Sequence, residues 1–272
     1  MTNRFIIACA LNGARRTKKD HPKLPVTPQE IADCAGQIVE AGASIIHLHV
    51  RDAEERHSLD QKRYEKAISA IREKVGDDLI IQVTTESCGQ YDREQQMALV
   101  KSLRPEAVSI ALREICPEPK FIGETIRFFN WMREAGIFPQ IILYDNRDAD
   151  LFCALHTKKA FSTPCYVLLV LGSYTMTGKT QFEFPLCLTA FTSSPDIVWS
   201  VCCFGKGEYE AADFAAQMGG HVRVGFENNI WQPDGSLASG NDELVRHACL
   251  AGMKAGRQCA QASDVRRLFG MN

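Results

Sequence analysis

Along this chain, short apolar runs alternate with longer stretches in which apolar residues recur every three or four positions. The short runs predict strands and the longer stretches amphipathic helices. Strands are expected at residues 5–11, 44–52, 79–85, 107–111, 140–144, 165–171, 197–203 and 221–226. Helices are expected at 28–40, 64–74, 92–103, 120–135, 148–159, 208–218 and 241–255, with a short one from 263. A further helix falls within 182–191, interrupted by Pro185. Thr27-Pro28-Gln29-Glu30 is a helix start: Thr27 caps, proline suits the first turn, and Glu30 can close a capping box. Gly136 and Gly219-Gly220 close two of the helices. Phe128, Phe129 and Trp131 fall within a helix and read as core or subunit interface.

Strands and helices in strict alternation predict a (β/α)8 TIM barrel, and 272 residues suit that fold as one domain over 1–272. The competing architecture is an open doubly wound sheet. No GxGxxG follows the first strand, and Gly205-Lys206-Gly207 lacks the spacing of a phosphate-binding loop.

Composition narrows the picture in a few places. A net charge of -2 leaves no basic excess for nucleic acid. No apolar stretch approaches a membrane span, and Met1-Thr2-Asn3-Arg4 leads into an apolar run too short for a signal peptide. The eleven cysteines are scattered through apolar runs without a CxxC, which favours reduced thiols and a cytoplasmic setting. Cys202 and Cys203 are adjacent on a strand, face opposite sides and make a poor chelate.

The densest candidate chemistry is the run Ser44-Ile45-Ile46-His47-Leu48-His49-Val50-Arg51-Asp52. Residues two apart on a strand share a face, so His47 and His49 point together and can begin a divalent-metal site. The plainer reading is one buried, hydrogen-bonded histidine beside an incidental one. In the last strand, Arg223, Gly225 and Glu227 share the barrel-facing side, with Gly225 leaving room between cation and carboxylate. Glu227 supplies a third ligand, or is simply the salt-bridge partner of Arg223. Other polar residues also gather at strand ends: Thr84, Thr85, Glu86 and Ser87 after the third strand, and Tyr144, Asp145 and Asn146 after the fifth. In a barrel that is the functional face.

On Asn12-Gly13-Ala14, Val26-Thr27-Pro28, His47-Leu48-His49-Val50-Arg51-Asp52, Trp199-Ser200-Val201 and Gly219-Gly220-His221-Val222-Arg223-Val224-Gly225, the chain resembles the β-keto acid cleavage enzymes. The family is typified by 3-keto-5-aminohexanoate cleavage enzyme. The likeness covers nearly the whole chain. It implies a barrel that binds zinc, or another divalent metal, through His47, His49 and Glu227. It implies an acyltransferase reaction in which a β-keto acid and acetyl-CoA give acetoacetate and a new acyl-CoA. It also implies a homotetramer. Within that frame Arg223 steadies the substrate carboxylate, while Thr85 and Ser109 donate to it or are satisfied by backbone. Asn228 and Gly225 adjoin the substrate. Arg15, Arg16 and Lys18 meet CoA phosphates or form a solvated loop.

The sequence departs from the family pattern at three places. Asn228 stands where an acidic residue, assigned as the base, usually follows the ligand glutamate. Thr84-Thr85-Glu86-Ser87 replaces a Thr-Thr-Gly-Gly loop. Ile141 and Ile142 occupy the fifth strand where a supporting glutamate is expected. Glu86 and Asp145 are therefore the candidates for the base. The alternatives are a metal-dependent aldolase, lyase or hydrolase that does not use CoA, and a catalytically silent metal- or ligand-binding homologue.

Overall fold

The structure is a computed structural model that describes residues 3–173 and 194–271. Eight parallel strands close into a barrel: β1 (Ile7–Ala10), β2 (Ile45–Leu48), β3 (Ile80–Thr84), β4 (Ala107–Ala111), β5 (Phe138–Leu143), β6 (Cys165–Leu171), β7 (Ile197–Cys203) and β8 (His221–Val224). Each strand pairs with the next in sequence, and β8 returns to β1 with Val222 opposite Ile7. The helices are α1 (Pro28–Ala41), α2 (Gln61–Val75), α3 (Arg93–Leu103), α4 (Ile122–Glu134), α5 (Asn146–Thr157), α6 (Glu208–Gln217), α7 (Asn241–Lys254) and α8 (Ala262–Phe269), with a single extra turn at Leu112–Ile115. The TIM barrel expected from the alternation is what forms. The helix expected at 182–191 lies outside the described residues.

Local chemistry accounts for the boundaries. Thr27 and Glu30 form the reciprocal capping box at α1. Asp92 and Gln95 form a second capping box at α3, and Asp60 caps α2 through the Arg63 amide alone. The first predicted strand is interrupted: Arg4–Phe5 pairs instead with Gln258–Cys259 beneath the barrel, and β1 begins at Ile7. The last strand also ends early, at Val224, because Gly225 turns with φ +125°.

The period-two pleat sorts every strand cleanly. Ile46, Leu48, Ile81, Val83, Val201, Cys203, Val222 and Val224 face the helices and join the main apolar core. Cys202, one residue before Cys203, lies inside the barrel with Ala111, Ile142, Leu168 and Val170. The N-terminal mouth is filled by Ile6, Ala8, Ile45, Ile80, Ala107, Phe138 and Tyr166, plugged from below by Val265 of α8. Between these apolar layers lies a buried polar layer of His47, Gln82, Gln140 and Ser200. Such a layer is tolerated only when its groups are hydrogen-bonded to one another.

His221 marks the start of β8 at the closed mouth. Its Nδ1 accepts from the Ile6 amide at 3.0 Å, and burial followed by Arg257 pushes its pKa down to about 3. The unfolded chain, with histidine near 6.5, binds more protons than the folded one between those values. Stability is thus full above pH 6.5 and falls as the pH drops. We expect this residue to cost about 2–3 kcal/mol of unfolding free energy at pH 4.5 relative to pH 7. Urea denaturation at both pH values checks this against His221→Gln, which should show a shallower loss; an equal slope in the two proteins counts against it.

Candidate metal centre and active site

At the C-terminal face, the polar strand ends converge on one point. His47 comes from the inner face of β2, and His49 sits just beyond its end. Their Nε2 atoms approach to 3.1 Å. The Glu227 Oε2 atom lies 3.5 Å from His47 Nε2 and 3.2 Å from His49 Nε2. All three residues are buried, and their ligand atoms fall within 4.8 Å of one another.

Glu227 arrives by a route the pleat did not predict. Because β8 stops at Val224, its carboxylate is carried on a tight turn. The Glu227 amide donates to Ala10 O at 3.0 Å. Glu208 Oε2 accepts from the Gly225 amide at 3.0 Å, and Asn241 Oδ1 accepts from the Phe226 amide at 2.8 Å. Burial raises the Glu208 pKa well above the usual carboxylate range, opposed by the Gly225 N–H. A Cβ on Gly225 would meet Ala10 O at 2.5 Å, so this glycine serves the close approach of turn to β1 rather than spacing arginine from glutamate.

Arg223 completes the electrostatics. Its Nη2 donates to Glu227 Oε1 at 3.1 Å and to the Cys202 thiol at 3.4 Å. Burial would raise the Glu227 pKa, but Arg223 and the two imidazoles override it and hold the carboxyl well below its ordinary range. Burial, reinforced by Arg223 and only partly offset by Glu227, lowers the His47 pKa to about 3. One Glu227 oxygen pairs with Arg223, and Oε2 has no hydrogen-bond donor among the described residues. Two imidazole nitrogens and an unpartnered carboxylate oxygen facing one point form a donor set suited to a divalent cation.

A cavity of about 300 Å³ opens beside this point, lined by His47, Glu227, Arg223, Glu86, Ser109 and Arg15 among others. Glu86 Oε2 is 4.0 Å from His49 Nε2. The Ser109 hydroxyl is buried without a partner among the described residues and borders the cavity, whereas Thr85 spends its hydroxyl on Ser109 O at 3.0 Å. Of the two, Ser109 is the one left able to meet a ligand. Glu114, also on the wall, has its pKa raised by burial against the opposing hydrogen bonds from Ser87.

Several expected residues lie elsewhere. Asp145 caps α5 and pairs with Arg113 at 2.8 Å, at a neighbouring cavity. The strand ends before it, so its carboxylate serves the helix rather than the triad. Lys18 is paired with Glu30 at the start of α1. Arg16 donates to Asn228 O at 3.2 Å. Only Arg15 of the three basic candidates borders the cavity. The Asn228 side chain is fully buried, and neither amide atom has a hydrogen-bond partner among the described residues.

Other residues support the site from nearby. Arg51 donates to Gly13 O, Asn12 O, Arg16 O and Glu55 O, and so pins the loop that holds the basic residues. His57 Nε2 donates to Glu86 O at 2.7 Å and its ring packs 5.3 Å from that of His49. Burial, then His49, lowers the His57 pKa to about 3, so it positions the Glu86 backbone as a neutral donor.

The pattern of the beta-keto acid cleavage enzyme family matches residues 4–271. The chain belongs to this family. Among beta-keto acid cleavage enzymes it is 32% identical to the 3-keto-5-aminohexanoate cleavage enzyme of Fusobacterium nucleatum, over 100% of this chain and 99% of that protein. It is 27% identical to the 3-oxoadipate:acetyl-CoA acetyltransferase of Cupriavidus necator, over 100% of this chain and 96% of that protein. In fold it is similar to ObcA, solved as a binary complex with oxaloacetate, with a TM-score of 0.73 at 18% identity, covering 92% of this chain and 68% of that one. These relatives therefore differ in the acid they are named for. No helix among its described residues is long and apolar enough to cross a membrane.

Proposed function

We propose that this protein is a zinc-dependent β-keto acid cleavage enzyme that uses acetyl-CoA. The observation that carries the reading is the convergence of His47, His49 and Glu227 beside Arg223 at the mouth of a ligand-sized cavity. Full-length similarity to relatives named for acetyl-CoA transfer and β-keto acid cleavage supports it. A divalent ion held by the three ligands would polarise the substrate ketone and stabilise negative charge as it develops.

In this reading the chain's own groups do the rest. Arg223 holds positive charge against the Glu227 carboxylate and faces the substrate carboxylate from the cavity floor. Ser109 donates to that carboxylate. Glu86 takes the proton from the carbon between ketone and carboxylate. That carbon bonds to the acetyl carbonyl as the thioester opens. Its bond to the original ketone carbon then breaks, and the CoA sulfur receives the acyl group. The proton returns from Glu86 to the new acetoacetate. Ile142, Val170 and Phe204 on the cavity wall limit water, which strengthens the electrostatic terms. Arg15 is placed to meet CoA phosphate.

A panel of acidic, basic and apolar β-keto acids with acetyl-CoA and zinc tests this. Acetoacetate and the matching acyl-CoA should appear in equal amounts, and only when acetyl-CoA is present. Absence of turnover across the panel with metal bound would overturn it. Cleavage that proceeds without CoA would instead support a metal-dependent lyase or aldolase, the reading that Asn228 in the usual base position favours.

A further inference from the structure

The buried polar layer of the barrel is directional. His47 Nδ1 meets Gln82 Oε1 at 2.9 Å. Gln82 Nε2 donates to Gln140 Oε1 at 3.1 Å, and Gln140 Nε2 donates to Ser200 Oγ at 3.0 Å. Ser200 Oγ donates to Val167 O at 3.2 Å. The chain of bonds runs from β2 across the barrel to β7 and ends on the backbone of β6. All four side chains are at most 1% exposed, so no water competes along its length.

From these contacts we infer that Gln82, Gln140 and Ser200 are positioning residues that fix the tautomer of His47 for metal binding. The inference rests on the metal site proposed above. Its logic starts at the far end. A backbone carbonyl can only accept, so Ser200 commits its single proton to Val167 and offers Gln140 a lone pair. Gln140 must then turn its NH₂ toward Ser200 and its oxygen toward Gln82. Gln82 repeats the choice, turning its NH₂ toward Gln140 and its oxygen toward His47. An oxygen facing Nδ1 requires a proton there, which leaves a lone pair on Nε2, the atom aimed at His49 and Glu227. An amide flipped on its own would put two donors or two acceptors face to face in a dry interior. Reversing the whole chain instead costs the bond to Val167 and puts a proton on Nε2, where a metal must bind. The buried Tyr166 hydroxyl, close to Ser200 and Gln140, makes no hydrogen bond among the described residues and so takes no part in the chain of bonds.

The tautomer is readable without metal or substrate. Long-range ¹H–¹⁵N NMR on histidine-labelled, metal-free protein, with His47→Asn for assignment, should show His47 protonated on Nδ1. Ser200→Ala should give a mixture of tautomers, and Ser200→Thr, which keeps the hydroxyl, should restore the wild-type pattern. Zinc affinity, measured by chelator competition, should fall about 10–100-fold in Gln82→Leu. It should fall by a smaller factor in Gln140→Met, whose lesion is two bonds from the ring. Gln140→Glu, which cannot donate to Ser200, is the second variant if the methionine protein does not fold. A metal-free wild type protonated on Nε2, or folded Ser200 and Gln140 variants with unchanged tautomer and zinc affinity, would overturn the inference. The NMR result stands whether or not the CoA reaction is found, so the two failures are distinguishable.

Discussion

Replacing His49 with alanine should abolish stoichiometric metal binding and lower turnover by ~10³-fold or more, since Lewis-acid stabilisation supplies several kcal/mol of barrel-mouth catalysis. The barrel should survive. His49 packs at the end of β2 rather than in the apolar core, and its Nδ1 makes no hydrogen bond among the described residues. His47→Ala should lose metal equally, at a greater cost in stability because it also leaves Gln82 without a partner. Metal content by mass spectrometry and melting curves with and without zinc check both. Wild type should melt higher with zinc because the ion binds the folded chain. The alanine variants should show no such rise. Full zinc occupancy in His49→Ala, with a rate within a few-fold of wild type, would remove the triad from the mechanism.

Glu86→Gln should retain zinc but lower kcat by ~10²–10⁴-fold, the usual contribution of a positioned base. The substitution preserves size and leaves an oxygen for the Cys88 thiol. Asp145→Asn is the matched control, because that carboxylate is engaged with the α5 amides and Arg113. Its kcat should stay near wild type. Steady-state kinetics with a metal assay on each protein separates loss of the base from loss of the ion. A Glu86→Gln enzyme within tenfold of wild type, beside a collapsed Asp145→Asn, would transfer the role to Asp145.

Much of this site could be read along one strand at a time. Period-two alternation put His47 inside and Ile46 outside without reference to any other element, and the capping box at Thr27 needed only four residues. The same reasoning misjudged β8. It carried the pleat through Gly225, although contact with Ala10, far away in sequence, forces the chain to turn there. Glu227 reached the site all the same, by a different geometry. Asp145 and Lys18 have partners that residue type and position alone did not indicate. Residue type and strand-end position suggested catalysis and phosphate binding, but helix capping and an ion pair took those charges. Gln82, Gln140 and Glu208 left no local signal. Each is an ordinary polar residue whose partner lies on another strand or helix, and only the closed barrel brings them together.

The turn that carries Glu227 also dates the site within the life of the chain. The two imidazoles belong to an early strand, but the carboxylate is seated only after β8 has docked on β1 and after Asn241 of α7 has taken the Phe226 amide. A nascent chain that ends before α7 contains all three ligand residues but lacks the Asn241 contact that fixes the turn carrying Glu227. An ion would therefore be held tightly only once the last seam of the barrel has shut. Metal uptake by refolding protein should lag formation of the early strands and coincide with closure, so the metal site would double as a latch that reports a closed barrel.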